Sequence, residues 1–181
     1  MRAALLTFVL FSACLAIGQG IAVKKLPRFE EYPVHESWTG APPAIRFRSR
    51  PERMFRTQFR NAALMPPNFA GHFRVATWGC GTACLSGGIV DLSSGRILAL
   101  PYPVWRVGAT GAQKVWALCG FVSGGEYDEV AQTRPDSNLL ILNCADSYGK
   151  DEGTYLHTSY YLFQNGRFRK IADHVGDERV F

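Results

Sequence analysis

The strongest constraint on this chain is a series of short alternating segments separated by turn residues. Residues 155–163 and 168–172 flank Asn165-Gly166, the pair best suited to a two-residue hairpin because both turn positions need a positive φ. Ser93-Ser94-Gly95 stands likewise between residues 88–92 and 96–100, with Gly95 in the positive-φ position. Arg134-Pro135-Asp136-Ser137 separates residues 128–133 from 138–143, a turn by its proline and aspartate. Residues 71–78 alternate, with Phe73, Val75 and Thr77 on one face and His72, Arg74, Ala76 and Trp78 on the other. Residues 115–122 form a further apolar strand. The series predicts a mainly β fold, an antiparallel meander packed as a sandwich or barrel.

One helix is expected before this meander. Ser49-Arg50-Pro51-Glu52 fits a capping box with proline in the first turn, and Phe55, Phe59 and Ala62 recur at helical spacing. The helix should span about residues 50–64 and stop before Pro66-Pro67. Residues 34–38 read as an edge strand, and residues 45–49 as a strand with its arginines outward. Residues 21–44 are Pro-rich and irregular, and residues 45–181 make one β-rich domain. With 47% hydrophobic and 19% charged residues, the chain can bury a core and is too apolar to be disordered.

The N-terminus points to export. Met1-Arg2 is followed by an apolar run over residues 3–17 and by small residues at Gly18, Gly20 and Ala22. Residues 1–20 therefore read as a signal peptide cleaved at about 18–22, which leaves no stable membrane span because the run is short of the ~20 residues a bilayer needs. Phe11-Ser12-Ala13-Cys14 loosely resembles a lipoprotein cleavage box, although Phe11 fits it poorly. The protein is thus expected in the periplasm or secreted, with lipid anchoring at Cys14 as the alternative.

Cleavage leaves Cys80, Cys84, Cys119 and Cys144. An even number in an exported chain favours disulfides over metal ligands. Of the three possible connectivities, Cys80–Cys84 with Cys119–Cys144 is expected, since Gly81 lets the short loop bend. Gly79, Gly81 or both should then take positive φ to reverse the chain.

Charge is distributed unevenly. Residues 24–60 hold nine basic groups against four acidic ones, with Arg46, Arg48, Arg50, Arg53, Arg56 and Arg60 the main excess. Later, Glu126, Asp128, Glu129, Asp136, Asp146, Asp151 and Glu152 face only Arg134 and Lys150 within residues 123–152. The arginines read as a solvated face, with an anionic partner or the acidic stretch as alternatives. No aromatic-interleaved motif accompanies them, so nucleic acid is not expected.

Chemical motifs are sparse. Cys80 and Cys84 are one residue too far apart for a C-x-x-C redox pair. His35, His72, His157 and His174 lack metal-site spacing, and oxidised cysteines could not join His72 as thiolate ligands. Neither Ser86 nor Ser123 sits in a G-x-S-x-G elbow. Asp128 or Glu129 with Asp146 could serve as an acid–base pair. No cofactor, metal ligand or catalytic residue is assigned.

Asn68-Phe69-Ala70-Gly71-His72-Phe73 and Trp78-Gly79-Cys80-Gly81-Thr82-Ala83-Cys84 resemble a family of small, uncharacterised exported proteins of Gram-negative bacteria. The likeness continues through Ile89-Val90-Asp91-Leu92-Ser93-Ser94-Gly95-Arg96 and Asp136-Ser137-Asn138-Leu139-Leu140-Ile141, to Tyr160-Tyr161-Leu162-Phe163-Gln164-Asn165-Gly166-Arg167-Phe168. It covers roughly residues 45–172 and implies a secreted or periplasmic β-rich domain, with no transferable activity. It makes the first cysteine pair the typical feature and Cys119 and Cys144 additions.

The expectation is therefore a non-enzymatic, disulfide-stapled binding protein for a protein or envelope component, such as an inhibitor or immunity protein for an envelope-acting enzyme. Glu126, Asp128, Glu129, Asp151 and Glu152 would meet a basic partner. The alternatives are an envelope hydrolase using loop carboxylates and a structural accessory protein.

Overall fold

Asn165 and Gly166 take φ values of 51° and 72°, as their hairpin requires. The computed structural model describes residues 25–41, 43–81, 84–101, 117–119, 130–148 and 153–179. At positions 80, 81, 84, 117–119, 144–148, 153–156 and 176–179 it describes the backbone alone. The described strands are β1 (Phe73–Gly81), β2 (Cys84–Asp91), β3 (Ile97–Leu98), β4 (Ala117–Cys119), β5 (Ala131–Gln132), β6 (Leu139–Tyr148), β7 (Gly153–Gln164) and β8 (Arg167–Arg179). They form two antiparallel sheets. In the first, β1 pairs with one edge of β2, while β3 and β4 share the other. The second runs β5-β6-β7-β8 in chain order.

The two sheets are open rather than closed into a barrel, and their facing sides make the principal core. Phe73, Val75, Leu85 and Ile89 from the first sheet meet Leu140, Leu142, Tyr161 and Phe163 from the second. Period-two alternation sends neighbouring residues the other way. Trp78, Val90 and Leu92 face the helices, while Leu139, Ile141 and Tyr160 face an N-terminal segment that contributes Leu26, Phe29 and Tyr32. The molecule thus has four layers: helices, sheet, sheet and N-terminal strap.

The helical layer follows the expected capping box. Glu52 Oε2 accepts the backbone N–H groups of Arg48 and Ser49, and Ser49 Oγ accepts that of Glu52. The single expected helix is interrupted, however, into α1 (Arg50–Met54) and α2 (Arg56–Ala63). Phe55 leaves helical geometry at φ −101°, ψ 24°. The jog brings both Phe55 and Phe59 onto Trp78, with ring centroids 5.2 and 5.1 Å away. Phe59 is fully buried, and a Cβ on Gly88 would lie 2.6 Å from its ring. Glycine at that position lets helix and sheet approach.

Two expected strands do not form. Residues 34–38 carry no regular secondary structure and attach through single bonds, Val34 N–H to Asp136 O and Trp38 N–H to Gly71 O, and through one bridge between Pro33 and Ser137. Proline at position 33 offers no N–H with which to build a ladder. Residues 45–48 keep the expected alternation, with Ile45 and Phe47 packed on the helical cluster and Arg46 and Arg48 exposed. Among the described residues their backbone bond to the first sheet's side is Arg46 N–H to Gly95 O, 3.0 Å, in the turn between β2 and β3. Alternation there records burial, not strand pairing.

The strap is tied down by the turn before β6. Ser137 Oγ donates to Phe29 O and lies 3.1 Å from Tyr32 O, while Asn138 N–H donates to Tyr32 O. Arg134 forks onto both oxygens of Asp136, reaches Glu30 and stacks over Phe29.

Candidate functional site

The β1–β2 hairpin determines what lies beside His72. Gly79 pairs with Leu85, so by antiparallel counting Phe73 pairs with Asp91 and His72 reaches the end of β2. Gly79 stays in the strand and is not at positive φ, so of the two glycines expected to reverse the chain it is one that does not. Thr82 and Ala83 at the hairpin tip lie outside the described residues. Before β1 the chain turns sharply through Ala70 at φ 43° and Gly71 at φ 81°. Asn68 locks this turn by hydrogen bonds to both Val75 N–H and Val75 O.

His72 Nε2 stands 3.8 Å from Asp91 Oδ1, and its ring packs 4.1 Å from that of Phe73. Asp91 accepts hydrogen bonds from the Ser93 and Ser94 hydroxyls, each at 2.6 Å, and from the Ser93 amide. Burial pushes the Asp91 carboxyl up, but these donors and the nearby His72 outweigh it and hold the group below the ordinary aspartate range. The two serines therefore serve Asp91, and neither is aligned on His72 as a nucleophile.

His72 and Glu36 are shared by two adjoining clefts. The larger, about 590 Å³, lies between the strap, the turn at Ala70 and the β7–β8 hairpin, with Asn138, Gln164 and Asn165 on its walls and Phe73 and Phe163 beneath. The smaller, about 470 Å³, continues past Trp38 to Ser93. Together they form an open groove with a carboxylate, an imidazole and amides above an aromatic floor. Such a surface can hydrogen-bond a partner from fixed positions.

The carboxylates expected to meet a partner, Glu126, Asp128, Glu129, Asp151 and Glu152, lie outside the described residues. Asp146 falls in β6 opposite Tyr155. Cys80 and Cys84 occupy the two arms of the β1–β2 hairpin near its tip. Cys119 pairs in backbone register with Leu85, and Cys144 with His157. His72 stands eight residues from Cys80 along β1, roughly 26 Å at strand rise, so the two cannot share a ligand. His157 is buried in β7 with Asp173 Oδ2 at 3.6 Å, and His35 and His174 are exposed elsewhere. No group of three or more metal-ligating side chains occurs among the described residues.

The sequence contained a signal for the groove that pattern reading missed. A hairpin centred between Cys80 and Cys84 brings residues equidistant from that centre together, and this alone would have placed His72 beside Asp91 and Leu92. Glu36 had no such signal, because the strap reaches the groove through isolated contacts. Comparisons with family models, curated proteins and solved structures found no match to this chain.

Proposed function

We propose that this chain is an exported, non-enzymatic binding protein of the bacterial envelope, an inhibitor or immunity-type partner of an envelope-acting enzyme, and that the groove around His72 is its binding surface. The observation carrying this reading is the groove itself, two adjoining clefts that share Glu36 and His72. Its polar groups come from separate segments held by a rigid sandwich, the usual construction of a recognition surface. The apolar N-terminal run and the even cysteine count support export and two disulfides. Glu126, Asp128, Glu129, Asp151 and Glu152 would steer a basic partner by their collective field.

The test is capture from periplasmic extract by the full chain and by Glu36→Arg, which reverses a charge on the groove. Loss of a partner with Glu36→Arg, while His72→Gln retains part of the binding, is the expected result. Capture that ignores every groove substitution refutes the assignment. The His72–Asp91 pair favours one second reading, an envelope hydrolase in which His72 takes a proton from water and Asp91 orients the ring. In that case His72→Gln abolishes turnover of an envelope polymer, whereas a binding surface loses only part of its affinity.

A further inference from the structure

The helical layer carries a second feature, independent of the groove. Arg46, Arg48, Arg50, Arg53, Arg56 and Arg60 are all exposed. None has an acidic partner among the described residues, where the ion pairs involve Lys25, His72, Arg134, His157 and Lys170. The one acid in their midst, Glu52, is buried and committed to capping α1. Opposite charges normally intersperse on a protein surface, and six arginines with no acidic partner among the described residues create a strong local positive field.

Exposed apolar side chains occur at the same place. Of the four large hydrophobics exposed among the described residues, three belong to this segment: Met54 at 50%, Leu64 at 71% and Met65 at 50%. Phe59, Ala62 and Ala63 turn α2's buried face onto the sheet. Arg56, Arg60 and Leu64 recur at i, i+4 and i+8, forming a stripe beside that face. Arg60 lies over the Phe47 ring at 5.6 Å, which sets residues 45–48 with Arg46 and Arg48 alongside the helix. Cations and exposed apolar side chains thus neighbour one another along the helical layer.

We propose that this surface docks on an anionic phospholipid bilayer, with the arginines against the headgroups and Met54, Leu64 and Met65 entering the interface. Charge complementarity selects an anionic partner, and the apolar side chains distinguish lipid from other polyanions. A nucleic acid would offer phosphates and stackable bases, but Phe55 and Phe59 are turned inward onto Trp78 and cannot stack on them. A bilayer interface accepts both halves of the surface.

Vesicle co-sedimentation of the full chain tests the proposal, comparing pure phosphatidylcholine with an equal mixture of phosphatidylcholine and phosphatidylglycerol. The N-terminal segment carries Arg2, Lys24 and Lys25 of its own, so the comparison of wild type with an arginine variant isolates the helical-layer arginines. Near an anionic surface each arginine contributes about fivefold in affinity. The variant Arg53→Gln/Arg56→Gln/Arg60→Gln should lose roughly 100-fold on the mixed vesicles, and added salt should mimic the loss. Leu64→Ser/Met65→Ser should weaken binding several-fold at unchanged salt dependence. All substituted residues are exposed, and circular dichroism checks that the fold persists. Equal binding to both compositions, or by wild type and the arginine variant, overturns the proposal. So does binding to a short DNA duplex that matches the vesicle affinity and ignores Leu64→Ser/Met65→Ser.

Discussion

Gly71→Ala probes the join between strap and sandwich. Gly71 sits at φ 81°, where an added Cβ would lie 2.5 Å from Glu36 O and 3.1 Å from Val34 Cγ1. A non-glycine residue in this region costs about 1–2 kcal/mol on its own. Here the strap must also retreat, which breaks or stretches the bonds from Val34 N–H to Asp136 O (2.8 Å) and from Trp38 N–H to Gly71 O (3.0 Å). At about 0.5–1.5 kcal/mol each, and with a small offset from the stiffer unfolded chain, the total loss is roughly 2–4 kcal/mol. Gly166 makes the control. Its φ of 72° is nearly the same, yet nothing lies within 4 Å of an added Cβ. Gly166→Ala should therefore cost only the backbone term. Thermal unfolding should drop by roughly 5–12 °C for Gly71→Ala and by about 2–4 °C for Gly166→Ala. Hydrogen exchange should show faster exchange at the Val34 and Trp38 amides in the first variant alone. Equal melting losses in the two variants would refute the idea that Gly71 exists to admit the strap.

Glu52→Ala removes the acceptor for two backbone amides at the head of α1, and melting should register a loss of about 1–2 kcal/mol, while Glu52→Gln recovers part of it. Asp91 makes stability pH-dependent. Its carboxyl is held below the ordinary value when folded, so its contribution is complete above about pH 4 and disappears as pH falls through the lower folded value. Denaturant titrations across acidic pH should show a flatter curve for Asp91→Asn than for the wild type. Thiol titration of the denatured, unreduced protein should find Cys80, Cys84, Cys119 and Cys144 all oxidised, and two or more reactive thiols would contradict the disulfide proposal.

Local chemistry was readable in the sequence wherever a few neighbouring residues decide the outcome. Asn165-Gly166, Ser93-Ser94-Gly95 and the 134–137 turn each encode their own reversal, and the strands on either side formed as expected. Ser49 and Glu52 encode their own cap. Pattern reading failed where a partner decides. Residues 45–48 alternate because helix α2 and the sheet bury Ile45 and Phe47, and alternation looks the same whether the neighbour is a strand or a helix. The groove was the hardest feature to read, because Glu36, His72, Asn138 and Asn165 converge only after two sheets and a strap have packed. His72 alone carried a signal of its neighbours, through the centre of the β1–β2 hairpin, and Glu36 and Asn138 carried none.

The strap also sets an order of events. The strand pairings of the second sheet join consecutive strands, as do the β1–β2 and β2–β3 pairings of the first, so each hairpin can close soon after its residues are available. Residues 25–38 are made before both sheets, yet their anchors are Gly71 and the stretch from Arg134 to Asn138. Trp38 can bond Gly71 once that turn is made, but Phe29 and Tyr32 must wait for more than a hundred residues to follow. Its apolar side chains pack on Ile141, Tyr160 and Ala172, so the strap can seat fully only on the assembled second sheet, and its seating creates the cleft walls carrying Val34 and Glu36. A partner that recognises the groove therefore recognises completion: a half-folded, truncated or misregistered chain presents no such surface, so binding itself reports that the molecule has reached its final state.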